Sequence, residues 1–224
     1  MRLLGKALLY FLAIGVALYA AVAYGLFPLG SLVHPAMRAA FQAHSVGIYT
    51  HIFASMLALA LGPFQFSSNL RQKNISLHRW SGRAYLSIGV FIGGISGLYV
   101  AQFAFGGFVS RAGFTLLALG WLFTGLMAYL AIRRRDIQSH RNWMVRSFSL
   151  TFAAVTLRIY LGIFSAVGMT FENFYPWLSW LCWVPNLLLA EWLIKSTYNN
   201  ASRFETMKSA HEGAGNRSGP ELRR

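Results

Sequence analysis

The sequence predicts an all-α protein of the polytopic transmembrane class, a bundle of six helices with both chain termini cytoplasmic. Three observations carry that prediction. Of 224 residues, 56% are hydrophobic and only 12% are charged, where a soluble domain carries roughly 25% charge; mean hydropathy is +0.47. The apolar residues gather into six runs, each long enough to cross a hydrocarbon core of ~30 Å at ~1.5 Å per residue. Of the 20 Lys and Arg, all but Arg38, Arg111 and Arg158 lie at the chain ends, between the second and third runs, or between the fourth and fifth. The positive-inside rule puts those segments in the cytoplasm and the protein in the cytoplasmic (inner) membrane as a multi-pass chain with the lipid bilayer as its solvent. The net charge of +14 is therefore read as topology, and no nucleic-acid partner is expected, because the basic residues flank apolar runs and form no single patch.

The expected spans cover about residues 7–27, 44–66, 80–105, 113–132, 143–167 and 175–194, within one domain of residues 1–195. Arg2 and Lys6 precede the first run, which passes through Ala21-Val22-Ala23 without the polar break of a cleaved signal. Pro28, Gly30 and Pro35 mark a loop carrying His34 and Arg38. The second run holds His44, His51, Ser55 and Gly62 near one face. A polar segment, SSNLRQKNIS, leads to the third, whose face through His78 contains Gly82, Tyr85, Gly89 and Ser96. Small residues there let a neighbouring helix or a flat cofactor approach the backbone. The fourth run has Gly120 and Thr124 but no histidine, and ends at Arg133-Arg134-Arg135. The sixth is interrupted at Pro185-Asn186, where a kink is expected, and carries Glu191 one turn before Lys195. Residues 196–224 form a polar stretch expected to be an unstructured tail. The single cysteine, Cys182, excludes an intramolecular disulfide and any CxxC pair.

The fifth run is the most informative. His140 and Arg158 are eighteen residues apart, a whole number of helical turns, so they share a face with Ser147 and Thr151. An arginine inside an apolar span marks a functional site by default, because it is costly unless it faces protein or a water-filled cavity. Arg158, His51 and His44 or Glu172 are expected to meet in the outer half as a pocket for a quinone or small anionic ligand, with guanidinium holding a carboxylate and imidazole moving a proton. Packing roles for His51 and Arg158 are the alternative.

A short echo links two other places. LHRWSGR at Leu77 and SHRNWMVR at Ser139 each open a helix on the cytoplasmic side. Histidines at matched depth on two helices, His78 and His140, are what the two axial positions of a haem iron need. Arg79, Arg83, Arg141 and Arg146 would then face the haem b propionates. The same pattern also anchors helix ends among anionic headgroups, and both readings stand.

LALGPFQFSSNLR, LHRWSGRAY, SHRNWMVRS and AAVTLR, in this order over about residues 44–165, resemble the bacterial membrane proteins of the domain-of-unknown-function 2306 family. More loosely, the arrangement is similar to the cytochrome b-561 type of transmembrane reductase. That resemblance implies His78 and His140 as one pair of haem ligands; the second pair is incomplete, since the fourth run has no histidine. The functions that follow are a haem b redox protein with a bis-histidine site near the cytoplasmic face, a haem-free transporter, sensor or lipid- and anion-binding module, or a structural partner in a larger membrane complex.

Overall fold

The computed structural model describes residues 2–215, with side chains over residues 4–199. The described residues contain helices and turns and no strand. The elements are α1 (Arg2–Gly25), α2 (Pro35–Ala43), α3 (Ser45–Gln65), α4 (Ser68–Lys73), α5 (Ile75–Ala84), a π-helix (Tyr85–Ile92), α6 (Gly93–Ala101), α7 (Gly107–Arg133), α8 (Ile137–Thr151), α9 (Ala153–Ala166), α10 (Phe171–Leu181) and α11 (Val184–Gly215). Among the described residues, six stretches are long and apolar enough to cross a membrane: Leu4–Gly25, Ser45–Gln65, Ile75–Ala101, Gly107–Arg133, Ile137–Ala166 and Phe171–Asn199. The third span starts five residues earlier than its apolar run suggests, because Asn74 caps it: its Oδ1 accepts the Leu77 N–H at 2.9 Å, satisfying one of the unpaired N–H groups of a helix start.

The burial pattern is that of a bundle in lipid, with small residues inward and large ones outward. On α1, Ala13, Ala17, Ala20 and Ala23 are buried while Leu4, Leu8, Phe11 and Leu18 are exposed. Lipid tails give helices no hydrophobic reason to associate, so close backbone approach and interhelical hydrogen bonds hold them together. Gly89 illustrates the approach: a Cβ there would stand 2.7 Å from the Ala58 Cβ and 3.0 Å from its Cα. Gly62 plays the same part against the ring of Phe148. The glycine face of the third span is thus a packing seam. Gln65 covers Gly82, Ala58 covers Gly89, Trp121 covers Gly93 and His51 covers Gly97, so the space expected there for a flat cofactor is filled by side chains of α3 and α7.

A polar knot crosses the middle of the bundle. Tyr85 is fully buried, and its hydroxyl lies 3.0 Å from both Ser147 Oγ and Thr151 Oγ1. Trp121 Nε1 donates to Thr151 Oγ1 at 2.9 Å, and Thr151 donates to the Ser147 carbonyl at 3.0 Å. One proton arrangement satisfies every group: Thr151 accepts from Trp121 and Tyr85, and Ser147 donates to Tyr85. The fifth span breaks just beyond, between α8 and α9, at Phe152.

Three local expectations are corrected. The segment after Pro35 is helix α2, with Pro35 in its first turn and His34 at its cap, where proline's missing N–H costs nothing. The sixth span breaks at Cys182-Trp183, ahead of Pro185, which again falls in a first turn. Asn186 sits there to hydrogen-bond: its Nδ2 lies 2.9 Å from Thr156 Oγ1, 3.0 Å from the Cys182 carbonyl and 3.3 Å from the Ser149 carbonyl. α11 continues as helix to Gly215, where an unstructured tail is expected from Ser196; residues 216–224 lie outside the described residues. By contacts, Met1–Leu187 is one compact unit and Leu188–Arg224 a second.

Gly89→Ala is expected to destabilise the protein by about 1–3 kcal/mol through overpacking. Gly162→Ala, in open space, is expected to be neutral or stabilising by up to ~1 kcal/mol. Thermal unfolding in detergent compares the two; equal melting temperatures would remove the seam as a structural constraint.

Candidate functional site

The two ends of the bundle differ. One end, the basic end, is formed by the N-terminus and the turns at residues 66–74 and 134–136; the far end is formed by residues 26–44 and the turns at 102–106 and 167–170. A cavity of about 810 Å³ opens among the helices toward the far end. Its walls come from α1, α3, α6, α7, the end of α8, α9 and α10, with α2 contributing Ala36, Met37, Ala40 and Phe41. Thr151 and Trp121, two members of the polar knot, also line it.

Most of the lining is apolar, and the polar groups are few and specific. His44, His51 and Arg158, which the sequence assigns to one outer-half pocket, all line this cavity; Glu172 does not. His51 Nδ1 is 2.8 Å from the Gly93 carbonyl. A carbonyl only accepts, so Nδ1 carries the proton, and in the neutral ring Nε2 is left with a lone pair. His44 is held by the Tyr99 hydroxyl at 2.9 Å and by stacking on Phe103 at 3.5 Å. Arg158 donates from Nη1 to the Ala154 carbonyl at 2.8 Å, and its guanidinium stands 5.5 Å from the Tyr19 ring centroid. Sequence reasoning missed Tyr19, Tyr24, His34, Arg111 and Trp121 as wall residues. The first two sit on a helix whose apolar run gives no hint of a site. Ser55, flagged on the His51 face, has a buried Oγ without a hydrogen-bond partner and lines the cavity. His34 stacks on Phe171 at 4.0 Å, tying α2 to the start of α10.

At the basic end, His78 lies near the start of the third span, in α5, and His140 near the start of the fifth, in α8. His140 Nδ1 is 2.8 Å from the Ala128 carbonyl, so its Nε2 is the nitrogen open to a ligand, as in a histidine that binds metal through Nε2. His78 Nδ1 is buried without a partner. Two imidazoles are the donor type a bis-histidine haem would require, but the glycine face is covered by side chains and does not supply the macrocycle slot. The surrounding arginines behave as interface anchors: Arg79, Arg83 and Arg141 are exposed, Arg83 lies over Trp80 at 4.9 Å and Arg146 over Trp143 at 4.5 Å. Among the described residues no group of three or more His, Cys, Asp or Glu could hold a metal ion.

The helix carrying His140 is started by Asp136, whose Oδ1 accepts the Ser139 N–H at 2.9 Å. The preceding turn reverses the chain through Arg135 at φ 62°, the left-handed region. Hydrogen bonds from Ser139 hold the Asp136 carboxyl below its ordinary pKa.

The fold defines the class: a multi-pass helical membrane protein. Comparison makes this particular. Residues 48–194 match the family described as predicted membrane protein (DUF2306), and the chain belongs to that family. No curated protein and no solved structure matches the chain. The looser likeness to the cytochrome b-561 type finds no support in these comparisons.

Because the native carboxyl of Asp136 titrates lower than the unfolded one, its cap stabilises α8 above the unfolded pKa of ~3.9. That contribution disappears as pH falls through the depressed native value. Melting temperature against pH for wild type and Asp136→Asn checks this: the two curves are expected to converge at acid pH, and parallel curves would dismiss the cap.

Proposed function

We propose that the protein is a membrane-embedded binding module, of sensor or transporter type, that takes a small molecule into the cavity between its helices. The observation that carries the reading is the cavity itself, about 810 Å³ and within the ~300–1,000 Å³ typical of small-molecule sites. Its apolar walls with a few convergent polar groups, His51, Ser55 and Arg158, are the composition such sites use. The ligand is a quinone or a small anionic molecule. On the positive-inside reading the protein lies in the cytoplasmic membrane with both termini inside, and the cavity faces the outer half.

Native mass spectrometry of the purified protein tests the module. A bound small molecule is expected on wild type. Its occupancy should fall several-fold in Ala20→Phe, which fills the cavity from α1, provided that the variant retains the wild-type melting temperature. Equal occupancy in a correctly folded Ala20→Phe protein would reject the cavity as the site.

A second reading, a haem b electron-transfer protein and hence a membrane oxidoreductase, rests on one observation: His78 and His140 stand near the basic-end starts of two different spans, and the His140 Nδ1 bond to the Ala128 carbonyl leaves its Nε2 open. His78 and His140 would be the axial ligands, with Arg79, Arg83, Arg141 and Arg146 near the propionates. A haem there would supply one-electron chemistry. An absorbance scan decides: a Soret band lost in both His78→Ala and His140→Ala supports it, and colourless protein after expression with haem precursor ends it.

A further inference from the structure

We propose that the molecule the cavity receives is an amphipathic monoanion, with one singly charged oxyanion head on the guanidinium of Arg158 and an apolar body along the walls. This rests on the reading of the cavity as a binding site.

The argument is one of missing charge. Arginine near the middle of a membrane helix costs about 2.5–3.5 kcal/mol even on the most lenient scale, and such residues pair with acids or backbone carbonyls. Arg158 lies eight residues before the end of α9 at Ala166, about 12 Å along the helix at ~1.5 Å per residue. It donates to one carbonyl of its own helix and lies over the face of Tyr19. A guanidinium has five N–H donors, and one is used in this hydrogen bond. The acidic residues with described side chains are Asp136, Glu172 and Glu191, and none lines the cavity. The nearby Tyr19 and Tyr24 bring hydroxyl groups and aromatic faces to the wall, not carboxylates. A fixed cation on the cavity wall with no acidic partner among the described residues is a site for an external anion.

The size of the charge and the shape of the body follow from the same wall. His51 spends its Nδ1–H on the Gly93 carbonyl and Ser55 brings only a hydroxyl to the wall, so Arg158 is the fixed cation of the inner wall. The other lining arginine, Arg111, is exposed and belongs to the rim, where it can draw an anion in without desolvation. One half-buried guanidinium matches one negative charge; a dianion would bring an uncompensated charge into a low-dielectric space. A small acid such as acetate would leave most of 810 Å³ empty against apolar side chains, so the ligand carries an apolar body. A free fatty acid and an anionic phospholipid both have this chemistry.

The test uses the full chain in nanodiscs of neutral phosphatidylcholine, reading the melting temperature against added palmitate and hexadecanol, which differ only at the head. Palmitate is expected to raise the melting temperature and hexadecanol is not. A separate arm replaces part of the phosphatidylcholine by phosphatidylglycerol. Stabilisation there and not by palmitate assigns the head to a lipid phosphodiester; the reverse assigns it to a free carboxylate. Arg158→Gln should weaken palmitate by about ten- to a hundredfold, the loss of hydrogen bonds to a charged group, and Arg158→Lys should restore part of it. If Arg158→Gln does not fold, the comparison of probes on wild type decides alone. Equal stabilisation by palmitate and hexadecanol overturns the anion assignment and leaves the cavity reading standing. No stabilisation by any of the three probes overturns the assignment too, and if the native protein also carries no bound mass the cavity reading falls with it.

Discussion

The bundle depends on the hydroxyl of Tyr85. In lipid the hydrophobic effect does not sort helices, so something else must fix which faces meet and at what depth. Close contact at Gly89 and Ala58 lets the second and third spans touch, but small residues tolerate sliding. Hydrogen bonds do not. By bonding to Ser147 and Thr151 together, with Trp121 on Thr151, Tyr85 joins the third, fourth and fifth spans at one level. The knot has four buried groups with every partner made, which is the condition under which a buried polar network specifies a structure and does not weaken it.

From that level the two ends of the protein diverge in character. Toward the basic end the seam is dense, with Gln65 bonded to Ser81 at 2.9 Å over Gly82 and the imidazoles of His78 and His140 set into it. Toward the far end the helices enclose space, and the polar groups on its wall are held one at a time: His51 on a carbonyl, His44 on Tyr99, Arg158 on its own helix. A dense end gives rigidity, and a loosely satisfied end leaves hydrogen-bonding capacity for something that is not protein.

Much of this was legible in the sequence. The six spans follow from hydropathy, because lipid forces every backbone group into a helix. Ser147 and Thr151 fall on the face of His140 by helical period, and they do turn inward. His44, His51 and Arg158 could be grouped because depth along a helix is readable at ~1.5 Å per residue. What was not legible depends on which helices touch. The glycines of the third span announce a close approach but not its partner, and the partner is protein. Tyr19 and Tyr24 sit on a first span whose alternation of alanine and bulky residues reads as ordinary lipid contact. Asn186, beside a proline, looks like part of a break, whereas its amide joins the fifth and sixth spans. Helix α2 is masked by Pro28, Gly30 and Pro35, which mark a loop until the last of them turns out to start a helix.

The position of the knot also bears on how a cavity ligand could be used. Thr151 and Trp121 belong at once to the cavity wall and to the hydrogen-bonded set around Tyr85, so the knot is part of the cavity's floor. A molecule passing through this floor to the basic end would have to part Tyr85 from Ser147 and Thr151, whose hydroxyls are its hydrogen-bond partners. Each buried group left unpaired costs about 1–3 kcal/mol, so a conformation open in this way is a minor one unless the ligand itself binds that state more tightly. A ligand that only rests on Arg158 and the far wall needs none of this. On the proposed binding reading, holding a ligand at one face of the membrane leaves the knot intact, whereas transport requires a second set of partners for a tyrosine hydroxyl that the resting arrangement keeps engaged.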